Sequence, residues 1–242
     1  MFENVYKVNY ELEDYYWWFV ARNNIVLYLT LKFVNLDKED IVLDFGCGTG
    51  GFSTLLNRYF NVVGLDNSPI AIEFCRKRGL RSLFLGTIDD FCAKQTLVKA
   101  IFALDVIEHI ENDFETIQKL YSLLKTGGYL IVTVPAFGWL WSNHDILHMH
   151  RRRYTKRGLK ELLENAGFKI TFLSYFNFFL FFPAVLKRII GRKKKLEETL
   201  PVEPVSDFLN KAFRVVFESE KYILPLLRFP FGLSIVAIAK KM

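Results

Sequence analysis

The sequence predicts an open, doubly wound α/β sheet, and two stretches carry that prediction. Ile41, Val42 and Leu43 form a continuous apolar run that ends at Asp44 and opens into a glycine-dense loop, FGCGTGG. A run of this kind bounded by glycine fits a central parallel strand buried on both faces. One unit later NVVGLDN repeats the design, with Asp66 lying 22 residues after Asp44. The helical pattern between the two runs makes the chain alternate strand and helix, as a parallel sheet requires.

Gly46, Gly48 and Gly50 let the backbone turn sharply and approach a ligand closely, and the N–H groups of a helix starting at about Phe52 point into that loop. GCGTGG satisfies both GxGxG and the dinucleotide pattern GxGxxG, and glycine spacing alone is weak evidence. Asp44 separates the two readings. A carboxylate there repels a pyrophosphate and favours a ligand bearing an ammonium and a sulfonium, and S-adenosylmethionine (SAM) carries both. Asp66 stands where a second strand-end acid accepts hydrogen bonds from both ribose hydroxyls, although an acid before Asn67-Ser68-Pro69 also reads as a helix N-cap.

The elements follow in order. With 242 residues, 51% hydrophobic and 16% aromatic, the chain can bury a sizeable core as one domain. Cys47, Cys75 and Cys92 have no paired spacing, so a reducing compartment and no zinc site are expected. The acidic N-terminus MFENVYKVNYELEDYY predicts no signal peptide, and a cytoplasmic protein. Residues 11–33 read as one helix carrying Tyr15, Tyr16, Trp17, Trp18 and Phe19, either packed beside the sheet or laid across a cofactor mouth. Helices are expected at Phe52–Arg58, Pro69–Arg78 and Asn112–Lys125, and strands at Ser82–Gly86, Ala100–Asp105 and Tyr129–Pro135. Thr155–Ala166 reads as a helix closed by Gly167, Lys169–Tyr175 as a strand, and Ser234–Lys240 as the last strand.

VLDFGCGTGG, VVGLDNSPIAIEFCRKRG, ALDVIEHI and LLKTGGYLIVTVP, in this order, resemble the class I SAM-dependent methyltransferases. The resemblance covers roughly residues 38–170 and the final strand, and it implies a Rossmann-like sheet of seven strands ordered 3-2-1-4-5-7-6 with strand 7 antiparallel. It also implies a cofactor set of Asp44, Gly46, Gly48, Asp66, Asn67, Ile88, Asp89, Asp105 and Arg22, the last as a partner for the cofactor's carboxylate. WWF-x-AR ahead of the first strand resembles bacterial members whose N-terminal segment helps close the SAM pocket. Where such members carry an acid for the adenine amino group this chain has Thr87, so the role passes to Asp89 or to the Ile88 backbone. Asp105, Glu108 and His109 resemble the magnesium motif of small-RNA 2′-O-methyltransferases and ubiquinone-pathway O-methyltransferases, with Asp in place of the usual Glu. In the wider class Glu-His here lines the methyl-transfer pocket; no metal ligand is assigned.

The loop Ala136–Thr155, AFGWLWSNHDILHMHRRRYT, leaves the carboxyl end of the fifth strand, where ligands of such sheets bind. W-S-x-H-D followed by H-x-R-R-Y resembles a bacterial methyltransferase subgroup linked with cell-surface polysaccharide and lipid pathways. His144 oriented by Asp145 is the first candidate base and His150 the second. Arg152 and Arg153 are candidate clamps for a substrate phosphate or carboxylate, with Tyr154, Trp141 and His109 lining the same side.

Residues 1–150 hold 13 Lys+Arg and 18 Asp+Glu, a balance of −5, whereas residues 151–242 hold 19 and 8, a balance of +11. An anionic partner is therefore expected for the C-terminal third. Phe176–Gly232 stands as an insertion in the methyltransferase core of 38–175 and 233–242, with 1–37 over the cofactor. FNFFLFFPAVLKRIIGRKKK, an apolar run broken by Pro183, precedes six basic residues from Lys187 to Lys195. It reads either as a cap helix or as an interfacial helix on an anionic membrane, which would place the protein at the inner membrane face. After the Pro201 and Pro204 linker, a helix over Phe208–Ile223 is expected to turn Phe208, Leu209, Phe213, Val216 and Phe217 inward. The expected function is O-methylation of a small or lipid-linked anionic acceptor. A dinucleotide-dependent oxidoreductase and a non-catalytic SAM-binding scaffold are the alternatives; nucleic acid is not the expected partner, and oligomeric state is not readable.

Overall fold

The structure, a computed structural model, describes residues 3–94, 96–191, 202 and 204–242. Arg192 to Lys195 of the basic cluster and Pro201 of the linker lie outside the described residues. The chain opens with α1 (Glu3–Leu12) and α2 (Trp17–Phe33), then runs β1 (Ile41–Phe45), α3 (Gly51–Leu56), β2 (Asn61–Asp66), α4 (Pro69–Lys77), β3 (Leu83–Leu85), α5 (Ile88–Cys92) and β4 (Val98–Leu104). A 3-10 turn at Ile107–His109 leads to α6 (Asp113–Leu123) and β5 (Leu124–Pro135). A second at Gly138–Leu140 precedes α7 (Asn143–Leu147), α8 (Lys156–Asn165), β6 (Phe168–Phe176), α9 (Phe181–Gly191), α10 (Asp207–Ile223) and β7 (Ser234–Lys241).

Among the described residues the seven strands form one sheet in the order β3-β2-β1-β4-β5-β7-β6. β7 runs antiparallel to both neighbours and the other pairings are parallel, as expected. The register aligns Asp44 with Gly64 on one side and Phe102 on the other, so the carboxyl ends of β1, β2 and β4 lie along one edge. The core sits under that edge: Ile101 and Phe102 are fully buried, and Phe52 of α3 meets Phe102 edge to face at 5.4 Å. α4 starts on a Ser68 N-cap with Pro69 at its first position, and Gly79, at φ +84°, turns the chain after it.

Three expectations need correction. The single helix over 11–33 is two, because residues 13–16 break it and Glu13 and Asp14 turn toward Arg78 of α4. The apolar run interrupted at Pro183 divides at Phe181, where α9 begins with Pro183 in its first turn, a place where a missing N–H costs nothing. The inward set on α10 is also different. Phe208 is 78% exposed and Leu209 and Val216 are exposed, while Phe213 packs on Trp17 and Phe217 and Glu220 are buried. The buried stripe thus includes an acid, which no hydrophobic pattern marks.

Glu220 is buried for a reason that its neighbours make plain. Its Oε2 accepts from the Asn177 N–H at 2.7 Å, and its Oε1 accepts from Phe178 and Phe179 at 2.7 and 3.1 Å. These three donors lie where β6 ends and α9 has not begun, so no ladder or helix satisfies them. Glu220→Ala is expected to cost about 2–4 kcal/mol, since each buried donor left alone costs on the order of 1–3 kcal/mol. Burial raises the Glu220 carboxyl to about 7 against the opposing effect of the three N–H groups. A raised folded pKa gives stability fully present below the ordinary value of 4.5 and lost as pH rises through about 7. Urea midpoints taken from pH 4.5 to 8 should show that decline in the wild type and a flatter profile in Glu220→Gln.

Candidate active site

Asp44, next to last in β1, is almost fully buried, with the Ser53 hydroxyl donating to its Oδ2 at 2.5 Å. Burial raises its carboxyl to about 6, with the Ser53 hydrogen bond acting against that rise. Asp66 ends β2 and stitches the loop to the next unit: its Oδ2 accepts from the Gly48 N–H and its Oδ1 from the Ser68 N–H, both at 2.9 Å. Ser68 caps α4, so Asp66 is not the N-cap. Gly46 needs its φ of +71°, and a Cβ there would meet Val106 at 2.7 Å; a Cβ at Gly48 (φ +55°) would meet no atom within 4 Å. The loop therefore packs on one side and stays open on the other.

The sequence reading missed a residue that holds this loop. Glu13 accepts from the Thr49 hydroxyl and from the Gly51 N–H at 3.1 Å, and the Arg78 guanidinium lies 2.9 Å from the same oxygen. The N-terminal segment thus closes on the glycine loop through an acid placed between two helices. Arg22 is also engaged within the chain: its Nη1 pairs with Asp105 Oδ2 at 2.6 Å, Asn23 accepts from it, and Trp18 stacks on it. Asp105 itself adopts φ +56° at the end of β4, a conformation that costs energy for a non-glycine residue.

Acids at the ends of β1, β2 and β4 disfavour a pyrophosphate and suit a ligand bearing positive charge beside a ribose. With the open face at Gly48, these residues fit SAM. Asp66→Ala is expected to weaken SAM binding roughly ten- to a hundredfold, because hydrogen bonds to a charged group contribute about 1.5–3 kcal/mol. Titration calorimetry checks this, and an unchanged affinity would remove Asp66 from the cofactor site. Of the remaining cofactor candidates, Ile88 is buried, Asn67 is exposed, and Asp89 pairs with Lys119 of α6 at 2.7 Å. Thr87 caps α5 in a reciprocal pair with Asp90.

The lid folds around Asp145, which is fully buried. His150 Nδ1 lies 2.8 Å from Asp145 Oδ1, and Arg153 donates to both carboxylate oxygens, Nε to Oδ1 at 2.8 Å and Nη2 to Oδ2 at 3.0 Å. Burial alone would raise the Asp145 carboxyl; the His150 hydrogen bond and the Arg153 charge hold it below the usual range. Asp145 therefore orients His150 and not its neighbour His144, which is exposed and packs on His148 at 4.2 Å. The Asp145 carboxylate can only accept from Nδ1, which leaves Nε2 as the ring nitrogen turned away from it. His109 meets the His150 ring at 4.8 Å, and burial and His150 hold it down to about 4, so it is neutral at pH 7.

The two arginines expected to clamp substrate are turned inward. Arg153 has a side chain 1% exposed and also donates to Ala136 O at 3.0 Å. Arg152 donates to the carbonyls of Ile110 and Glu111 and pairs with Asp113 at 3.0 Å. Tyr154 likewise donates to Asp113 at 2.7 Å and is buried. Arg152 and Tyr154 fasten the lid to the loop after β4 and the start of α6, Arg153 ties the lid to itself, and Trp141 is left exposed at its rim. Glu108, fully buried beside them, has two carboxylate oxygens without a hydrogen-bond partner among the described residues, and burial together with Asp105 raises its carboxyl well above the usual range. Glu108, His109 and His150 each offer one donor atom within 4.8 Å of the others, a set able to hold a small divalent cation; Asp105, on Arg22, is outside it.

The sheet order, the strand-end acids and the glycine loop define a nucleoside-binding α/β fold with a histidine lid beyond its carboxyl edge. The family model described as "Methyltransferase domain" matches residues 20–172, and the chain belongs to that family as a class I SAM-dependent methyltransferase. It is 30% identical to the trans-aconitate 2-methyltransferase of Escherichia coli O1:K1 over 135 residues, 53% of each chain. To the ubiquinone biosynthesis O-methyltransferase of Rickettsia typhi it is 29% identical over 120 residues, covering 46% of this chain and 49% of that one. The chain spans about half the length of these curated relatives. A SAM-dependent methyltransferase structure from Archaeoglobus fulgidus superposes with TM-score 0.56 at 20% identity over 90% of this chain and 94% of that one, which shows the fold.

Proposed function

We propose that the chain transfers the methyl group of SAM to an oxygen of a small or lipid-linked anionic acceptor, with His150 as the base. The observation that carries this reading is the buried Asp145 carboxylate, which fixes the His150 ring and leaves Nε2 free to take a proton. When bound, SAM supplies an electrophilic methyl group on a sulfonium. His150 would accept the proton of an acceptor hydroxyl, while the lid fastened by Arg152 and Arg153 would hold that hydroxyl in line and exclude water. The net charge of +11 over residues 151–242 and the name of the trans-aconitate relative support an anionic acceptor, and the name of the ubiquinone-pathway relative supports transfer to oxygen.

The test is incubation with SAM and panels of carboxylates, phenols and lipid-linked sugars, reading S-adenosylhomocysteine and the product mass. Acceptor-dependent product with one added methyl on oxygen is the expected result. SAM binding without turnover on any panel would support a binding scaffold instead, and heat with NADH but none with SAM would point to hydride transfer. The unpartnered Glu108 oxygens favour a second reading, in which Glu108, His109 and His150 hold a divalent cation and His150 is a ligand. Manganese titration separates the two: binding that is lost in Glu108→Gln supports the cation, and absence of binding supports the base.

A further inference from the structure

α9 is turned the wrong way round for a cap helix. Phe179 just before it, and Phe182, Pro183 and Leu186 within it, recur at helical spacing and are all exposed, Phe182 by 67% and Leu186 by 60%. The stripe continues onto the lid, since Phe182 meets Phe181 at 5.5 Å, Phe181 meets Trp139 at 6.3 Å, and Trp139 is itself 53% exposed. Arg188 of α9 donates to the Leu140 carbonyl at 3.1 Å and so fastens the helix to the lid. The result is one outward apolar surface of Phe179, Phe182, Leu186 and Trp139 beside the loop that carries His150.

We infer that this surface lies in the headgroup region of an anionic bilayer and brings the lid to a lipid-linked acceptor. Three observations choose that occupant over a second copy of the chain. Phenylalanines on a short exposed helix, with a tryptophan on the neighbouring turn, are side chains that settle at a membrane interface. Residues 151–242, which include α9, carry a net charge of +11, which complements anionic lipid and disfavours a second copy of the same segment. No helix among the described residues is long and apolar enough to cross a membrane, so the contact is peripheral. The inference rests on the proposed function only for its purpose, because binding is measured without turnover.

The experiment is co-sedimentation of the full chain with vesicles of phosphatidylcholine plus phosphatidylglycerol, against phosphatidylcholine alone, at low and high salt. The wild type is expected to bind the anionic vesicles and to lose binding as salt rises. Phe182→Ser combined with Leu186→Ser should weaken partitioning about tenfold or more, with SAM affinity by calorimetry unchanged as the sign of an intact fold. Val215→Ser combined with Tyr222→Ser, on the exposed face of α10, should leave partitioning unchanged. The inference is overturned if the wild type binds neither vesicle, if the α10 pair releases it while the α9 pair does not, or if the α9 pair converts a dimer to a monomer in sedimentation velocity. Vesicle binding without SAM binding would instead remove the proposed methyl transfer to a lipid-linked acceptor and leave the membrane contact standing.

Discussion

Asp145→Ala is expected to destabilise the protein by about 3–5 kcal/mol, the cost of leaving one member of a buried ion pair without its partner. Arg153 would keep a guanidinium whose side chain is 1% exposed and whose two bonds to Asp145 are gone, with only the Ala136 carbonyl remaining. The loss extends to the start of α7, because the Ser142 N–H donates to Asp145 Oδ2 at 2.8 Å. Asp145→Asn should cost less, since an amide oxygen can still accept from Arg153 or from His150. Urea denaturation measures both, and a cost under about 1 kcal/mol for the alanine variant would mean that Arg153 finds another acceptor.

His150→Ala should leave SAM affinity within about twofold while turnover falls roughly 10²- to 10⁴-fold, the range that a positioned proton acceptor contributes. The split between affinity and rate is the informative part, since an Asp66 variant is expected to move affinity and a lid-base variant the chemical step. His144→Ala, by the same geometry, should have little effect on either, because His144 is exposed and makes no bond to Asp145. Equal turnover losses at both histidines would mean that the lid acts as a packed unit and not through one base.

The cofactor half of the site was legible because each of its parts is local. Asp44 is the next-to-last residue of β1 and Asp66 the last of β2, so the strands alone carry both acids to the sheet's carboxyl edge, where ligands of such sheets bind. The lid was less legible because its partners are set by how a short helix folds back. Asp145 is next to His144 in sequence, yet the turn after α7 returns His150, whose N–H donates to the Asp145 carbonyl at 2.8 Å. Arg152 and Arg153 read as a substrate clamp for want of visible partners, but Arg152 meets carbonyls and an acid about 40 residues earlier, after β4, and Arg153 meets the buried Asp145 across the turn that follows α7. Glu13 and Glu220 were missed for a related reason: their partners include backbone N–H groups left over at the ends of elements, which composition does not show. Cys47 and Cys75 are likewise unrelated in spacing, and folding brings their sulfurs to 3.8 Å.

Asn210 gives these pieces a shared mechanics. On α10, it accepts from the Trp17 N–H at 2.7 Å and donates to the Tyr15 carbonyl at 2.9 Å, across nearly the whole length of the chain. From there a series of single side chains runs in both directions, through Arg22 of α2 to Asp105 at the cofactor edge, and through Glu220 of α10 to the residues that launch α9. α9 and Arg22 are thus held by the same pair of helices, α10 through Glu220 and α2 through the bonds of Asn210 to Tyr15 and Trp17.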